Sequence, residues 1–177
     1  GQVPEGAITL IETVADVGAL HFADGAPLAF LTQTTLSVDD TAEVVAALRA
    51  RFPQIVGPKA EDICYATSNR QHAVKTIAPE CQLVLVIGAP NSSNSVRLVE
   101  VAERCGAKAR LVQRGADIAM EWFEGVETMG LTAGASAPEE LVQEAIDQIA
   151  AFREITLETV VTAEEKMVFK LPRQLID

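Results

Sequence analysis

Basic residues are scarce in this sequence. Fourteen lysines and arginines stand against 25 aspartates and glutamates, and the 177 residues carry a net charge of −11 at pH 7. Nucleic acids are bound mainly through cationic contacts with their phosphates, so this charge balance argues against a nucleic-acid partner. The hydrophobic content is 49%, which is enough for the core of one ordinary domain or two small ones.

Long hydrophobic runs are also missing. No stretch approaches the roughly 20 apolar residues that cross a bilayer. The start, GQVPEGA, lacks the basic and apolar regions of a signal peptide. We therefore expect no membrane partner and a location in the cytosol or an organelle matrix. The first residue is glycine rather than methionine, which indicates a fragment or a processed chain.

Cysteine and histidine are few. Cys64, Cys81 and Cys105 are widely separated and form no C-x-x-C pair, which disfavours a disulfide framework or a self-contained zinc site. Cys81 and Cys105 are interpreted as small buried apolar residues. His21 and His72 have no neighbour that completes a catalytic dyad, and we expect them to be structural or solvated.

Short apolar runs alternate in this chain with longer stretches of helical period. This pattern is typical of an α/β protein with largely parallel sheets. Apolar residues recur every three or four positions over 38–52 and 138–152, which predicts two amphipathic helices. The predicted strands cover residues 7–12, 28–32, 83–88, 109–112 and 127–132.

Three of these strands are followed by clusters of small polar residues. The turns read TQTTLS (32–37), NSSNS (91–95) and TAGAS (132–136), and a predicted helix follows each of them. Such turns lie at the carboxyl edge of a parallel sheet, where helix N-termini favour anions. Each hydrogen bond to a charged oxygen contributes on the order of 1.5–3 kcal/mol, so converging hydroxyls and amides are able to hold a diphosphate without lysine. The alternative is ordinary helix capping, which prefers the same residue types.

The segment EDICYATSNRQH (61–72) indicates a different chemistry. Cys64 follows an acidic turn and precedes a helix that is predicted to begin near Thr67. The N-terminus of that helix would stabilise a thiolate, which makes Cys64 a candidate nucleophile or metal ligand. A lone cysteine is more often a small buried residue, and the residues alone leave both interpretations open.

Four ordered segments resemble signatures of a known enzyme family. They are TQTTLSVDDT (32–41), VGPKAEDICYATSNRQ (56–71), GAPNSSNS (88–95) and GLTAGASAP (130–138). In this order they resemble the 4-hydroxy-3-methylbut-2-enyl diphosphate reductases, the iron–sulfur enzymes that end the non-mevalonate isoprenoid pathway. The similarity runs from about residue 1 into the segment EEKMVFKLP near the C-terminus and is highly specific.

The resemblance implies three α/β domains around a cavity with a [4Fe–4S] cluster on three cysteines. Cys64 matches one of these ligands, and Thr34 and Thr35 match threonines that contact the substrate and help to relay protons, with Thr34 in the catalytic role. The implied reaction removes the allylic hydroxyl as water, with electrons from ferredoxin or flavodoxin, and yields isopentenyl and dimethylallyl diphosphates. The residues that match the diphosphate binders are Ser92, Ser93, Asn94 and Ser136.

The chain also departs from the family pattern. The other two cysteine ligands, three substrate-binding histidines and a glutamate proton donor have no matching positions, so we expect the first domain to be missing and the chain alone to be inactive. We predict two αβα units of a three-domain trefoil: residues 1–60 as an incomplete middle domain, 61–152 as the third domain and 153–177 as a tail. A bacterial cytoplasm is favoured over a plastid. The alternative function is a non-catalytic α/β module that binds a diphosphate or another phosphorylated ligand.

Overall fold

The computed structural model describes residues 3–58 and 63–164. Among these residues, three short 3-10 helices cover Ala78–Glu80, Gly115–Asp117 and Met120–Phe123. The α-helices and strands, in chain order, are α1 (Val14–Ala19), α2 (Val38–Arg51), α3 (Tyr65–Ile77), β1 (Leu83–Ile87), α4 (Ser93–Arg104), β2 (Lys108–Val112), β3 (Met129–Ala133) and α5 (Glu139–Ala150).

The three strands form one parallel sheet in the order β2-β1-β3. All five residues of the central strand β1 are buried, as expected for a parallel strand that is covered on both faces. Leu85 of β1 lies opposite Arg110 of β2 and Leu131 of β3. The parallel α/β class is therefore confirmed, and so are the strands predicted after residue 80, with β3 beginning two residues later than predicted.

Helices cover both faces of this sheet. Val84 packs with α3 and α4 in one apolar cluster, in which Leu98 of α4 is fully buried. Leu85 points to the opposite face, where Ile149 of α5 packs against it in a second cluster. The helices predicted over 38–52 and 138–152 are confirmed as α2 and α5, because each places part of its apolar stripe inward.

Residues 3–58 do not form the predicted second sheet. The strands expected at 7–12 and 28–32 were wrong: the first is irregular, and the second is reduced to a single parallel bridge between Ala29 and Val56. A strand needs a hydrogen-bonded neighbour along its length, and none lies beside 7–12 in the described part of the chain. As a result Leu10 and Leu31 are 76% and 84% exposed.

A short helix, α1, was not predicted. It begins with a capping box, in which Thr13 accepts from the Asp16 N–H and the Asp16 carboxylate accepts from the Thr13 N–H at 2.8 Å. The spacing Thr13-x-x-Asp16 is the sequence signal for such a start. A search for capping boxes, beside one for apolar period, would have found this six-residue helix.

The predicted boundary at 60/61 falls within residues 59–62, which lie outside the described residues. The two sides are joined by side chains: the buried Gln71 of α3 donates to Leu36 O at 2.8 Å and accepts from Val38 N–H at 3.1 Å. Residues 153–164 of the predicted tail contain no helix or strand, and the rest of the tail lies outside the described residues. The division into domains stays a prediction.

Candidate functional site

Two of the three polar turns meet at the carboxyl edge of the sheet. Ile87 and Ala133 are paired at the ends of β1 and β3, and each is followed by a glycine. The N–H of Gly134 donates to Ile87 O at 2.8 Å, so the TAGAS turn starts against the end of β1. Parallel strand order therefore brings the NSSNS and TAGAS turns to the place where α/β proteins bind ligands.

Helix capping accounts for one residue of the NSSNS turn. Ser92 is the N-cap of α4, and its hydroxyl oxygen accepts from Ser95 N–H at 3.4 Å. The first turn of α4 also presents backbone N–H groups that no earlier carbonyl of the helix can accept from. An anion placed there would meet both these groups and the positive end of the helix dipole.

Capping does not account for Asn94. Its side chain is 5% exposed, yet Oδ1 and Nδ2 have no hydrogen-bond partner within the described residues. A methyl group on Gly134 would lie 3.7 Å from Nδ2, so the amide sits directly beside the TAGAS turn. Leaving a buried amide unpaired costs about 1–3 kcal/mol for each polar group. A bound ligand with both donors and acceptors would remove that cost.

The remaining candidates in these two turns are accessible. Ser93 occupies the first position of α4, and Ser136 lies two residues beyond Gly134; both side chains are exposed. The N–H of Ala137 donates to Gly134 O at 3.0 Å and closes the turn that carries Ser136. The sequence-predicted diphosphate binders thus lie at one edge of the sheet: Ser92, Ser93 and Asn94 at the start of α4, and Ser136 in the turn after β3.

Cys64 is the N-cap of α3. Its thiol is exposed and makes no capping hydrogen bond, so the sulfur is accessible to a metal or a reagent. Its backbone N–H donates to Thr34 O at 3.1 Å, which ties the third polar turn, TQTTLS, to the cysteine. Thr34 is exposed and Thr35 half-buried in that turn. α3 begins at Tyr65, two residues before the predicted start.

The direction of α3 places Cys64 on the ligand side of the sheet. Arg70 Nε donates to Ala133 O, the last carbonyl of β3, at 3.2 Å. Ile77, at the other end of the helix, packs against Gly130 near the start of β3. Cys64 lies six residues before Arg70, which corresponds to about 9 Å along the helix axis. Cys64 is therefore placed beyond the carboxyl edge of the sheet. Neither Arg70 nor Gln71 was singled out from the sequence, since no local pattern marks a long-range clamp.

The other two cysteines lie at the opposite edge. Cys81 precedes β1 and contacts Gly130. Burial raises the pKa of the Cys81 thiol, and the negative charge of Glu80 raises it further. Cys105 ends α4 and, like Cys81, packs against the apolar cluster, which agrees with their interpretation as apolar residues. In the described ranges, no three His, Cys, Asp or Glu residues are grouped so as to hold a metal ion. Of the three cysteines, all within the described ranges, Cys64 is the one that lies on the side of the polar turns.

Both histidines, His21 and His72, are exposed, as predicted. Over 3–58 and 63–164, none of the helices has the length and apolar character needed to span a membrane.

The fold and its strand-end turns define a parallel α/β protein whose sheet carries hydroxyl and amide groups, together with the Arg70 guanidinium, at the carboxyl edge. The chain belongs to the LytB family, because the family model described as "LytB protein" matches residues 1–150.

Curated relatives carry the name 4-hydroxy-3-methylbut-2-enyl diphosphate reductase. The protein of that name from Hyphomonas neptunium is 62% identical over 176 residues, which are 99% of this chain and 56% of that protein. The one from Phenylobacterium zucineum is 60% identical over 175 residues, again 99% of this chain and 56% of the relative. The chain thus spans about half the length of the curated relatives it matches.

Solved structures show the same relationship. The E-1-hydroxy-2-methyl-but-2-enyl-4-diphosphate reductase from Plasmodium falciparum matches with a TM-score of 0.74 and 37% identity, over 77% of this chain and 43% of that one. A structure of (E)-4-hydroxy-3-methyl-but-2-enyl diphosphate reductase, described as the terminal enzyme of the non-mevalonate pathway, matches with a TM-score of 0.50 and 29% identity, over 80% and 49%. The similarity to the first structure covers most of the fold described above.

Proposed function

We propose that this chain is the diphosphate-binding part of a 4-hydroxy-3-methylbut-2-enyl diphosphate reductase. The enzyme would remove the allylic hydroxyl of its substrate as water and form isopentenyl and dimethylallyl diphosphates. The observation that carries this proposal is the buried Asn94 amide, which lacks a partner at a strand edge shared with exposed serines. The names of the relatives and the LytB match supply the chemistry of the ligand.

The polar turns divide the work of binding in this proposal. Ser92, Ser93, Asn94 and Ser136 donate to the diphosphate oxygens, and the N-terminus of α4 adds its dipole. Neutral donors suffice because a charged oxygen strengthens each hydrogen bond. Thr35 contacts the substrate from the TQTTLS turn, and Thr34 holds and passes a proton near the reacting carbon.

Cys64 binds the cofactor in this proposal. Its exposed thiolate would be one of three cysteine ligands of a [4Fe–4S] cluster. When bound, such a cluster with an open iron position supplies Lewis acidity and electrons, which protein side chains cannot supply. The chain spans about half of its relatives, so we assign the other two thiolates to a further domain of a three-domain enzyme. Residues 1–60, 61–152 and 153–177 would be its middle domain, third domain and tail.

The electron donor follows from the proposed cofactor. Removal of the hydroxyl as water consumes two electrons and two protons, and an iron–sulfur cluster accepts electrons one at a time. We therefore propose a small one-electron carrier, ferredoxin or flavodoxin, that delivers one electron twice for each substrate. The relatives at 62% and 60% identity are bacterial, which supports a bacterial cytoplasm as the location.

The role of Cys64 is tested by cluster reconstitution. The protein from its complete gene is treated with iron and sulfide under anaerobic conditions, and the broad visible absorption of an iron–sulfur cluster is measured. Cys64→Ala is expected to abolish this absorption, whereas Cys81→Ala and Cys105→Ala, at the opposite edge, keep it. A cluster that survives Cys64→Ala would remove this residue from the ligand set.

The diphosphate site is tested separately with inorganic diphosphate and calorimetry. Ser92→Ala and Ser136→Ala should each weaken binding about tenfold, since each removes one hydrogen bond to a charged oxygen. Thr76→Ala, an exposed hydroxyl whose partner is its own helix, is the matched control. Unchanged affinity in both serine variants would contradict the diphosphate site and leave Ser92 with its capping role alone. Diphosphate binding without a Cys64-dependent cluster would favour the non-catalytic module.

A further inference from the structure

Ser95 is a buried hydroxyl beside the proposed diphosphate site. It is 1% exposed in the first turn of α4. Its Oγ lies 3.0 Å from Ser92 Oγ, and its backbone N–H also points at that oxygen, at 3.4 Å. One residue therefore directs two hydrogen-bond donors at the Ser92 hydroxyl.

The direction of the hydroxyl–hydroxyl bond follows from burial. Ser95 is enclosed and has no other side-chain partner among the described residues, so its proton has to go to Ser92 Oγ. Ser92 is half-buried, and its own proton is able to point outward. A hydroxyl oxygen has two acceptor sites and one proton. With both acceptor sites filled by Ser95, Ser92 is left with a proton to donate.

We infer that Ser95 is a positioning residue that commits the Ser92 hydroxyl to donate to the diphosphate. The inference rests on the proposed function of Ser92. A serine that is free to rotate presents its lone pairs to an anion part of the time, which is repulsive. A serine whose lone pairs are occupied presents its proton, and the ordering is complete before the ligand arrives.

Two glycines hold Ser95 in this orientation. A β-carbon on Gly88 or on Gly134 would overlap Ser95 Oγ, so the hydroxyl fits between the ends of β1 and β3 because neither residue has a side chain. Neither glycine has a positive φ, and their role is one of space. At Gly88 the added carbon would also lie 2.6 Å from Ser95 Cβ, which no rotation relieves. At Gly134 the distance to Cβ is 3.4 Å, so turning the Ser95 side chain removes the overlap.

A double-mutant cycle tests the inference on the protein from its complete gene, with inorganic diphosphate as the ligand. Ser95→Ala should weaken binding about three- to tenfold, the range of one ordinary hydrogen bond. The double variant with Ser92→Ala should bind no more weakly than Ser92→Ala alone, because Ser95 acts through Ser92. Thermal unfolding of each variant checks that it is folded.

The outcomes separate two failures. If Ser92→Ala weakens binding but Ser95→Ala does not, or if the two losses simply add, the role of Ser95 is refuted and the proposed function stands. If Ser92→Ala alone has no effect, the role of Ser95 is refuted while binding by the other residues stands. If the unaltered protein does not bind inorganic diphosphate, or neither Ser92→Ala nor Ser136→Ala weakens binding, the proposed function fails and the role of Ser95 with it.

Gly134→Ala provides a second test of the inference, in which both serines are kept. It should turn the Ser95 hydroxyl away from Ser92 and weaken diphosphate binding to the same extent as Ser95→Ala. It should also lower the melting temperature, and Ser95→Ala in the same chain should restore part of that loss by removing the overlapping oxygen. Gly134→Ala with unchanged affinity would contradict the inference.

Discussion

Asn94 and Ser95 are neighbouring buried polar residues with different hydrogen bonding. Ser95 is satisfied by Ser92, whereas both polar atoms of the Asn94 side chain have no partner in the described structure. Folding therefore desolvates the Asn94 amide without compensation, which is unfavourable. At the scale of residues, this uncompensated desolvation is the observation that supports the proposed diphosphate site.

This contrast leads to a prediction for Asn94→Leu. The apolar side chain loses no hydrogen bond in the ligand-free protein and removes the desolvation cost, so the free energy of unfolding should stay the same or rise by up to about 1 kcal/mol. Binding of inorganic diphosphate should fall at least about tenfold. Chemical denaturation and calorimetry on the same samples check both effects. A large loss of stability would show that Asn94 has a structural partner after all.

At the scale of elements, side chains from α3 and α4 hold α2 and its preceding turn. The Gln71 side chain hydrogen-bonds to the backbone on both sides of Ser37, at Leu36 O and Val38 N–H. Ser37 caps α2, since its hydroxyl oxygen accepts from Asp40 N–H at 3.2 Å. Arg104 of α4 makes a two-pronged bond to Asp40, at 2.7 and 2.9 Å. The TQTTLS turn is thus positioned from outside its own segment.

Gln71→Ala is expected to loosen this arrangement. It leaves the Leu36 carbonyl and the Val38 N–H without their partner, and we predict a loss of about 1–3 kcal/mol in the free energy of unfolding. Gln143→Ala is the matched control, since Gln143 is an exposed glutamine that bonds only along its own helix to Asp147. Equal effects of the two substitutions in urea denaturation would contradict the role of Gln71.

The Asp40–Arg104 pair predicts a dependence of stability on pH. The hydrogen bond from Arg104 is the main cause that lowers the pKa of Asp40 below its ordinary value of 3.8. A lowered pKa in the folded state stabilises the protein above pH 3.8, and this contribution is lost as the pH falls through the lowered value. The Asp40 side chain is 45% exposed, so the contribution of this pair to the free energy of unfolding should stay below about 1 kcal/mol.

The measurement compares unfolding of the unaltered protein and Asp40→Asn as a function of pH. The unaltered protein should be the more stable above pH 3.8, and the difference in the free energy of unfolding should shrink as the pH falls from 3.8 through the lowered pKa of Asp40. Asp24→Asn, on an exposed turn, controls for a general change of charge. A difference that persists unchanged into acid would rule out titration of Asp40.

At the scale of the whole molecule, apolar side chains on residues 3–58 are exposed together. Ile8, Leu10 and Leu31 are 73–84% exposed and line an open groove of about 560 Å³ beside α2. Apolar patches of this kind favour association. The sheet itself is covered on both faces, and further exposed apolar side chains, Leu157 and Val161, lie after α5.

We predict that the 177-residue chain, expressed alone, elutes from a size-exclusion column as a species larger than a monomer. Leu10→Gln together with Leu31→Gln should shift it toward the monomer position, because these changes make the groove polar. Met120→Gln, an exposed apolar residue outside the groove, is the control. A monomeric elution of the unaltered chain would contradict the prediction.

Local sequence patterns predicted correctly those helices and strands whose packing partners lie within the described residues. The apolar run at 83–87 and the apolar stripes of α2 and α5 could be identified from the sequence because periodicity reports which face is buried. The strands predicted at 7–12 and 28–32 carried a similar local signal but failed. A strand needs a neighbouring strand to accept and donate its backbone hydrogen bonds, and hydrophobic periodicity does not show whether such a neighbour is present.

The candidate site divides in the same way. The sequence by itself determined which groups are candidates for binding an anion or a metal. They are the hydroxyl-rich turns, the amide at position 94, and Cys64 next to a helix start. Only the tertiary structure decided that two turns meet at paired strand ends, that Asn94 is buried without a partner, and that Ser95 occupies the space left by Gly88 and Gly134. The reason is that residue type and spacing set local conformation and chemistry, whereas burial and hydrogen-bond partners depend on groups far away along the chain.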